Sequence, residues 1–248
     1  IPMCALNVVK GMKLYMKDNN IYYLKLIIVN LLTSVRLIGS VILPFIYYYK
    51  GPVVVSIWVL IIFSTDAIDG RLARHWKVET FFGSLLDGMC DKLFSIVSLS
   101  ILSYIRVVMI VPLLLELAIV VVNTIAYKEN KNVQSSKLGK RKTVLLAATI
   151  ILSFVLLASP LYIDLLPITL RGIFVTYDSI TLYVLAGIII GMQLLVLSDY
   201  SKKAFSKEYI KELRGKEFVS AKELKFYLFN HKFYLDHKDK PIREILYK

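Results

Sequence analysis

Four aspartates, Asp66, Asp69, Asp87 and Asp91, stand in sequence that is otherwise apolar enough to lie in a bilayer. Burying a carboxylate in a membrane helix is costly, so several together mark a functional site, provided something neutralises them. Residues 66–74 read DAIDGRLAR and residues 83–91 read GSLLDGMCD, with eight residues between. On a helix of about 3.6 residues per turn, Asp66, Asp69, Gly70, Ala73 and Arg74 share one stripe. Gly83, Asp87 and Asp91 follow at steps of four and form a second stripe. The short loop around 75–79 makes the two helices antiparallel neighbours, whose polar stripes can face one another.

Four carboxylates so placed repel one another unless cations are bound. A rise of about 1.5 Å per residue sets Asp87 about 10 Å and Asp91 about 16 Å beyond Thr80, where the second of these helices begins. Oxygen ligands without a motif cysteine or a suitably spaced histidine favour Mg²⁺ or Mn²⁺ over Zn²⁺. Two ions bridged by shared carboxylates suit the movement of a phosphoryl-type group. Gly70, Ala73 and Gly83 leave bare backbone beside the carboxylates. Arg74 adds a planar fork for phosphate oxygens. Together these features describe a site for a nucleotide diphosphate.

Hydrophobic residues make up 57% of the 248, more than a soluble domain of this size needs. Apolar runs at 27–49, 53–68, 81–104, 107–127, 143–162 and 180–198 predict six transmembrane helices, since about 17–25 residues cross a bilayer. The expected architecture is an all-α integral membrane bundle. An N-terminal interfacial helix over 1–25 precedes it, in place of a cleaved leader, and a basic cytoplasmic tail over 199–248 follows the catalytic body of 26–198. The net charge of +13 is uneven. With both termini cytoplasmic, Lys50, Arg106 and Arg171 are the basic residues of the outer loops, and nearly all others lie inside. The positive-inside rule therefore puts the aspartates on the cytoplasmic side of a multi-pass protein in the cell membrane. Anionic lipid explains the basic flanks without a nucleic-acid partner. Two cysteines, Cys4 and Cys90, imply no disulfide framework.

The pattern DxxDGxxARx(8)GxxxDxxxD resembles the signature of the CDP-alcohol phosphatidyltransferases at every fixed position. That resemblance covers the region from about 27 to 198. It implies a six-helix enzyme, commonly a homodimer, which transfers a phosphatidyl group from CDP-diacylglycerol to an alcohol, releases CMP and serves phospholipid biosynthesis. It further implies that Asp66, Asp69, Asp87 and Asp91 hold two metal ions and that Asp91 is the general base. By the same resemblance Asn30, Thr33, Asp66, Gly70, Ala73, Arg74, Thr80 and Gly83 line the donor site. TDAIDGRLAR at 65–74, Asp91-Lys92 and GKRKT at 139–143 are most similar to phosphatidylglycerophosphate synthases, whose acceptor is glycerol 3-phosphate. Lys140 and Lys142 would then receive the acceptor's phosphate.

Two residues depart from that pattern: Gly88 replaces a proline, and Leu115 precedes Glu116 where arginine is usual. A cardiolipin synthase acting on phosphatidylglycerol shares most of these features. A cation-coupled transporter is the rival outside enzymology, but it would bring inverted repeats and interrupted helices. Arg36 faces either a donor phosphate or a structural partner. Lys92 either contacts substrate or pairs with a carboxylate, and Glu116 is a candidate supporting group. The aromatic residues of the tail make either a lipid-docking surface or a small core of their own.

Overall fold

The computed structural model describes residues 2–128, 137–162, 168–205, 219–238 and 240. Helices α1 (Pro2–Trp76), α2 (Phe81–Ile105), α3 (Ile110–Lys128), α4 (Lys137–Tyr162), α5 (Ile168–Ala204), α6 (Ala221–Phe229) and α7 (His231–His237) follow in order, with a 3-10 turn at Val107–Met109. No strand occurs among the described residues. Much of the basic loop after α3 and much of the charge of the tail lie outside them.

Among the described residues, four helical stretches are long and apolar enough to cross a membrane: Asn20–Trp76, Val107–Ala126, Leu138–Ala158 and Ile180–Ala204. The first is a hairpin of two arms. At Gly51 the backbone takes φ 76° and ψ −178°, a left-handed conformation suited to a residue without Cβ, and Pro52 follows without an N–H to offer. The arms return alongside each other so closely that a Cβ on Gly39 would lie 2.5 Å from Ile62 Cδ1. The missing side chain of Gly39 thus permits this close approach. The expected runs 27–49 and 53–68 are the two arms, and 81–104 is α2. That helix carries Asp87, Asp91 and Lys92 and is not among those four stretches. α4 begins ahead of the predicted run because Lys140, Arg141 and Lys142 continue a helix well. No helix end marks the expected boundary after residue 25, since α1 runs unbroken from Pro2 to Gly51.

The core forms where the arms of α1 meet α2, α4 and α5. Leu43, Val59 and Ile62 bury against Phe94 and Leu102, with Ile150, Phe154, Leu182 and Ile189 closing the far side. Ser56 Oγ donates to the Phe154 carbonyl at 2.8 Å, a polar tie between α1 and α4. α3 packs on α5 through Ile119, Val196 and Tyr200. The outward faces remain apolar: Ile27, Leu31, Ile38 and Phe45 are exposed along one arm of α1, and Val184, Ile188 and Leu195 along α5. Exposed apolar surface of this extent suits lipid rather than water.

Candidate active site

Three helical stripes converge near one end of this bundle. The first arm of α1 supplies Asn30, Thr33, Arg36 and Ser40, spaced to share a face, with the last three buried. Its second arm supplies Asp66, Asp69, Gly70, Ala73 and Arg74. α2 supplies Gly83, Asp87 and Asp91. The chain reverses between the last two through Lys77, which holds φ 54°, and through the Val78 N–H, which donates to the Ala73 carbonyl at 3.0 Å. Thr80 is extended and caps α2, its hydroxyl accepting from the Gly83 N–H at 3.1 Å. That cap sets where α2 starts and therefore which of its faces meets Asp66 and Asp69.

Arg36 holds the centre. Nη1 donates to Asp87 Oδ1 at 2.9 Å and also to Asp91 Oδ1. Nη2 pairs with Asp66 Oδ1 at 2.5 Å and donates to Asp69 Oδ2 at 3.1 Å. One nitrogen of the fork thus serves the aspartates of α1 and the other those of α2. Thr33 Oγ1 donates to Asp69 Oδ2 at 2.9 Å and orients the most buried carboxylate. A guanidinium is planar and forked, and a lysine in its place would offer only a point charge. Sequence alone leaves Arg36 open between a ligand contact and a structural pairing. Its helical register with Asn30 and Thr33 is the signal that points toward the site.

One positive charge against four negative ones leaves the cluster electron-rich. Single oxygens of Asp66, Asp69 and Asp87 lie within 4.8 Å of one another, a donor set of hard oxygens that fits a divalent cation. Asp91 stands outside that trio and shares Arg36 Nη1 with Asp87.

Two cavities meet at Asp87. The first, about 450 Å³, is lined by Asn30, Thr33, Asp66, Asp69, Gly70, Ala73, Arg74, Thr80, Gly83 and Asp87, together with Tyr234 of α7. Every residue expected to bind the donor therefore borders one space. A Cβ on Gly83 would come to 3.3 Å from both Asn30 Oδ1 and Thr80 Oγ1, so a side chain there would crowd the polar wall. The second cavity, about 540 Å³, lies on the other side of α2 and is lined by Asp87, Asp91, Lys92, Glu116, Asn123, Lys140 and Lys142 among others.

Lys140 and Lys92 are exposed toward this second space, whereas Lys142 is buried. The Lys142 ammonium donates to Glu116 Oε1 at 2.6 Å and Oε2 at 2.9 Å. Gln193 Nε2 donates to the same carboxylate at 3.1 Å and to the Pro112 carbonyl at 3.0 Å. Of the two lysines expected to meet an acceptor's phosphate, one already has its counter-ion. Spacing could not show this, because the partner lies 26 residues away on another helix.

The sequence model of the family described as CDP-alcohol phosphatidyltransferase matches residues 26–196. A Cereibacter sphaeroides protein named CDP-diacylglycerol--glycerol-3-phosphate 3-phosphatidyltransferase is 36% identical over 78 residues, which is 30% of this chain and 35% of the relative. Proteins of the same name from Yersinia pestis (strain Pestoides F) and Yersinia enterocolitica are 42% and 40% identical over 57 residues, 23% of this chain and 30% of each relative. These similarities span about a third of the relatives' length.

Proposed function

The chain belongs to the CDP-alcohol phosphatidyltransferase family, and we propose that it moves a phosphatidyl group from CDP-diacylglycerol to glycerol 3-phosphate, releasing CMP. The observation that carries this reading is the pair of cavities sharing Asp87, one walled by carboxylates, bare backbone and Arg74, the other by Asp91 and lysines. A two-substrate transfer needs such a shared wall, because donor phosphorus and acceptor hydroxyl must meet within about 3–3.5 Å.

Asp66, Asp69, Asp87 and Asp91 would hold Mg²⁺ or Mn²⁺, two ions in the full site. When bound, such ions polarise the diphosphate and stabilise the charge developing on the departing CMP. Arg74 takes diphosphate oxygens, and Asn30, Thr33 and Thr80 give hydrogen-bonding groups to the donor's polar end. Gly70 and Gly83 let that end approach the helices. Asp91 opens to the second cavity, where it accepts the proton of the acceptor hydroxyl. The freed oxygen bonds to the phosphatidyl phosphorus, the bond from that phosphorus to the bridging oxygen breaks, and CMP leaves with the bridging oxygen. Lys92 and Lys140 attract the acceptor's phosphate, and Lys142 lends a charge held in place by Glu116.

In this reading the arms of α1, then α2, α3, α4 and α5 make six spans. The first 25 residues rest at the interface, both termini and the site face the cytoplasm, and the enzyme works as a homodimer. The test is an acceptor panel: purified protein with Mg²⁺ or Mn²⁺ and CDP-diacylglycerol should release CMP fastest with glycerol 3-phosphate. Faster release with phosphatidylglycerol would move the assignment to a cardiolipin synthase, and no release with any alcohol would remove it.

A further inference from the structure

The tail beyond the family's matched region returns to the mouth of the donor cavity. α6 and α7 form a short helical hairpin hinged on Asn230, which ends α6 and caps α7 by accepting from the Phe233 N–H at 3.0 Å. Ser220 and Glu223 form a capping box at its start. Tyr227 and Phe233 stack at 4.3 Å between ring centroids, giving the hairpin an aromatic centre.

Its attachments all fall around the turn that carries Thr80. The Tyr22 hydroxyl donates to the Phe229 carbonyl at 2.9 Å. His231 Nδ1 lies 2.9 Å from the Glu79 carbonyl, a geometry that the Nδ1–H tautomer satisfies. Phe82 meets Phe229 at 4.9 Å, and Phe81 meets Tyr234 edge-on at 5.1 Å. Phe229 also packs against the buried cluster of Leu26, Val29 and Val78. These contacts come from the first arm of α1, from the turn at 78–79 and from α2, so the hairpin is seated on the site and does not merely lie near it. Tyr234 goes further and lines the first cavity with Asn30, Arg74 and Thr80.

We propose that the α6–α7 hairpin is a wall of the donor site and that the ring of Tyr234 contacts the cytidine end of the CDP-linked substrate. This inference rests on the donor assignment above. Aromatic faces hold bases by stacking, and among the described residues Tyr234 is the one aromatic side chain lining this cavity, whose carboxylates, Arg74, Asn30 and Thr80 suit phosphate and ribose. The carboxylates would anchor the diphosphate, and Tyr234 borders the cavity beside Phe81, about 9 Å along α2 from Asp87, a separation that leaves room for the ribose and base.

The experiment uses the full chain in detergent with Mg²⁺ and CMP as the probe. Tyr234→Ala should weaken CMP binding about tenfold or more, the loss expected for one stacking contact. It should also raise KM for CDP-diacylglycerol and leave kcat within about threefold. Tyr234→Phe, which keeps the ring, should stay within about threefold on both. Leu235→Ala, on the exposed face of α7, is the control. Hydrogen exchange on the unaltered protein is the second measurement: CMP should slow exchange in 231–237, which decides the matter if Tyr234→Ala does not fold. Unchanged CMP affinity in a folded Tyr234→Ala, a Phe variant as weak as the Ala variant, or no exchange protection by saturating CMP would each overturn the proposal. If the unaltered protein binds no CMP at all, the donor assignment itself fails, a separate result.

Discussion

Two charge clusters, each centred on a buried group, lie on either side of α2, and they are built on opposite principles. Around Arg36 one guanidinium meets four carboxylates. Around Glu116 one carboxylate meets one ammonium and an amide N–H, and the charges cancel. A balanced pair makes little further demand for cations, and its buried partners hold α3, α4 and α5 in register. An unbalanced cluster keeps a demand for positive charge after its own arginine is counted. That surplus separates a cluster that could hold cations from a polar brace, and exposure follows the same division: Asp66, Asp87 and Asp91 are partly exposed, whereas Glu116 and Lys142 are buried.

The sharpest test of this contrast is chemical. Asp91→Asn should lower turnover about 10²–10⁴-fold, the usual contribution of a general base. CMP binding with Mg²⁺ should remain measurable, and Asp66→Asn should lose metal binding as well. Equal loss of metal affinity in both variants would abolish the distinction between base and ligand. The next effect is on stability. Glu116→Leu leaves the Lys142 ammonium buried without its counter-ion and should cost about 3–5 kcal/mol, unaffected by Mg²⁺. Arg36→Gln should lower the melting temperature in EDTA, but Mg²⁺ should restore it, and the variant should bind the ion more tightly because no guanidinium competes for the same oxygens. Thermal melts with and without metal distinguish the two clusters, and a matching response in both would dissolve the comparison.

Smaller effects refine it. Lys140→Ala should raise KM for glycerol 3-phosphate about tenfold, the equivalent of about 1.4 kcal/mol, with kcat little changed. An unaltered KM would leave the acceptor's phosphate to Lys92 and Lys142. The exposed pair of Lys203 and Asp199, four residues apart on α5 and 3.1 Å between charged atoms, is the reference for ordinary surface electrostatics. Lys203→Ala should change stability by less than about 1 kcal/mol.

Much of the site is legible in the residue pattern. The i+3 and i+4 spacing puts the aspartates on two stripes, because helical periodicity is a local property. Apolar runs announce helices for the same reason. Arg36 resists such reading because its partners lie as many as 55 residues away. Lys142 has the pattern of an acceptor contact, and only the approach of α3 to α4 reveals its charge as already engaged. The tail's aromatic residues fit a lipid surface or a private core equally well by pattern. The hairpin has an aromatic centre, yet Phe229 and Tyr234 pack on Phe82 and Phe81 beside Thr80, an outcome that no periodicity encodes.

Residue order alone dictated a helical, membrane-grade chain with paired acidic stripes, since backbone hydrogen bonding and side-chain period act over a few neighbours. Packing settled the rest: the reversal at Gly51 brought Arg36 between the stripes, α2 parted two cavities, and the last helices closed over one of them. Those outcomes depend on how far helices rotate about their own axes and how closely they approach. Such quantities are set by contacts among distant segments, where a guanidinium can find four carboxylates that adjacent sequence gives no reason to assign to it.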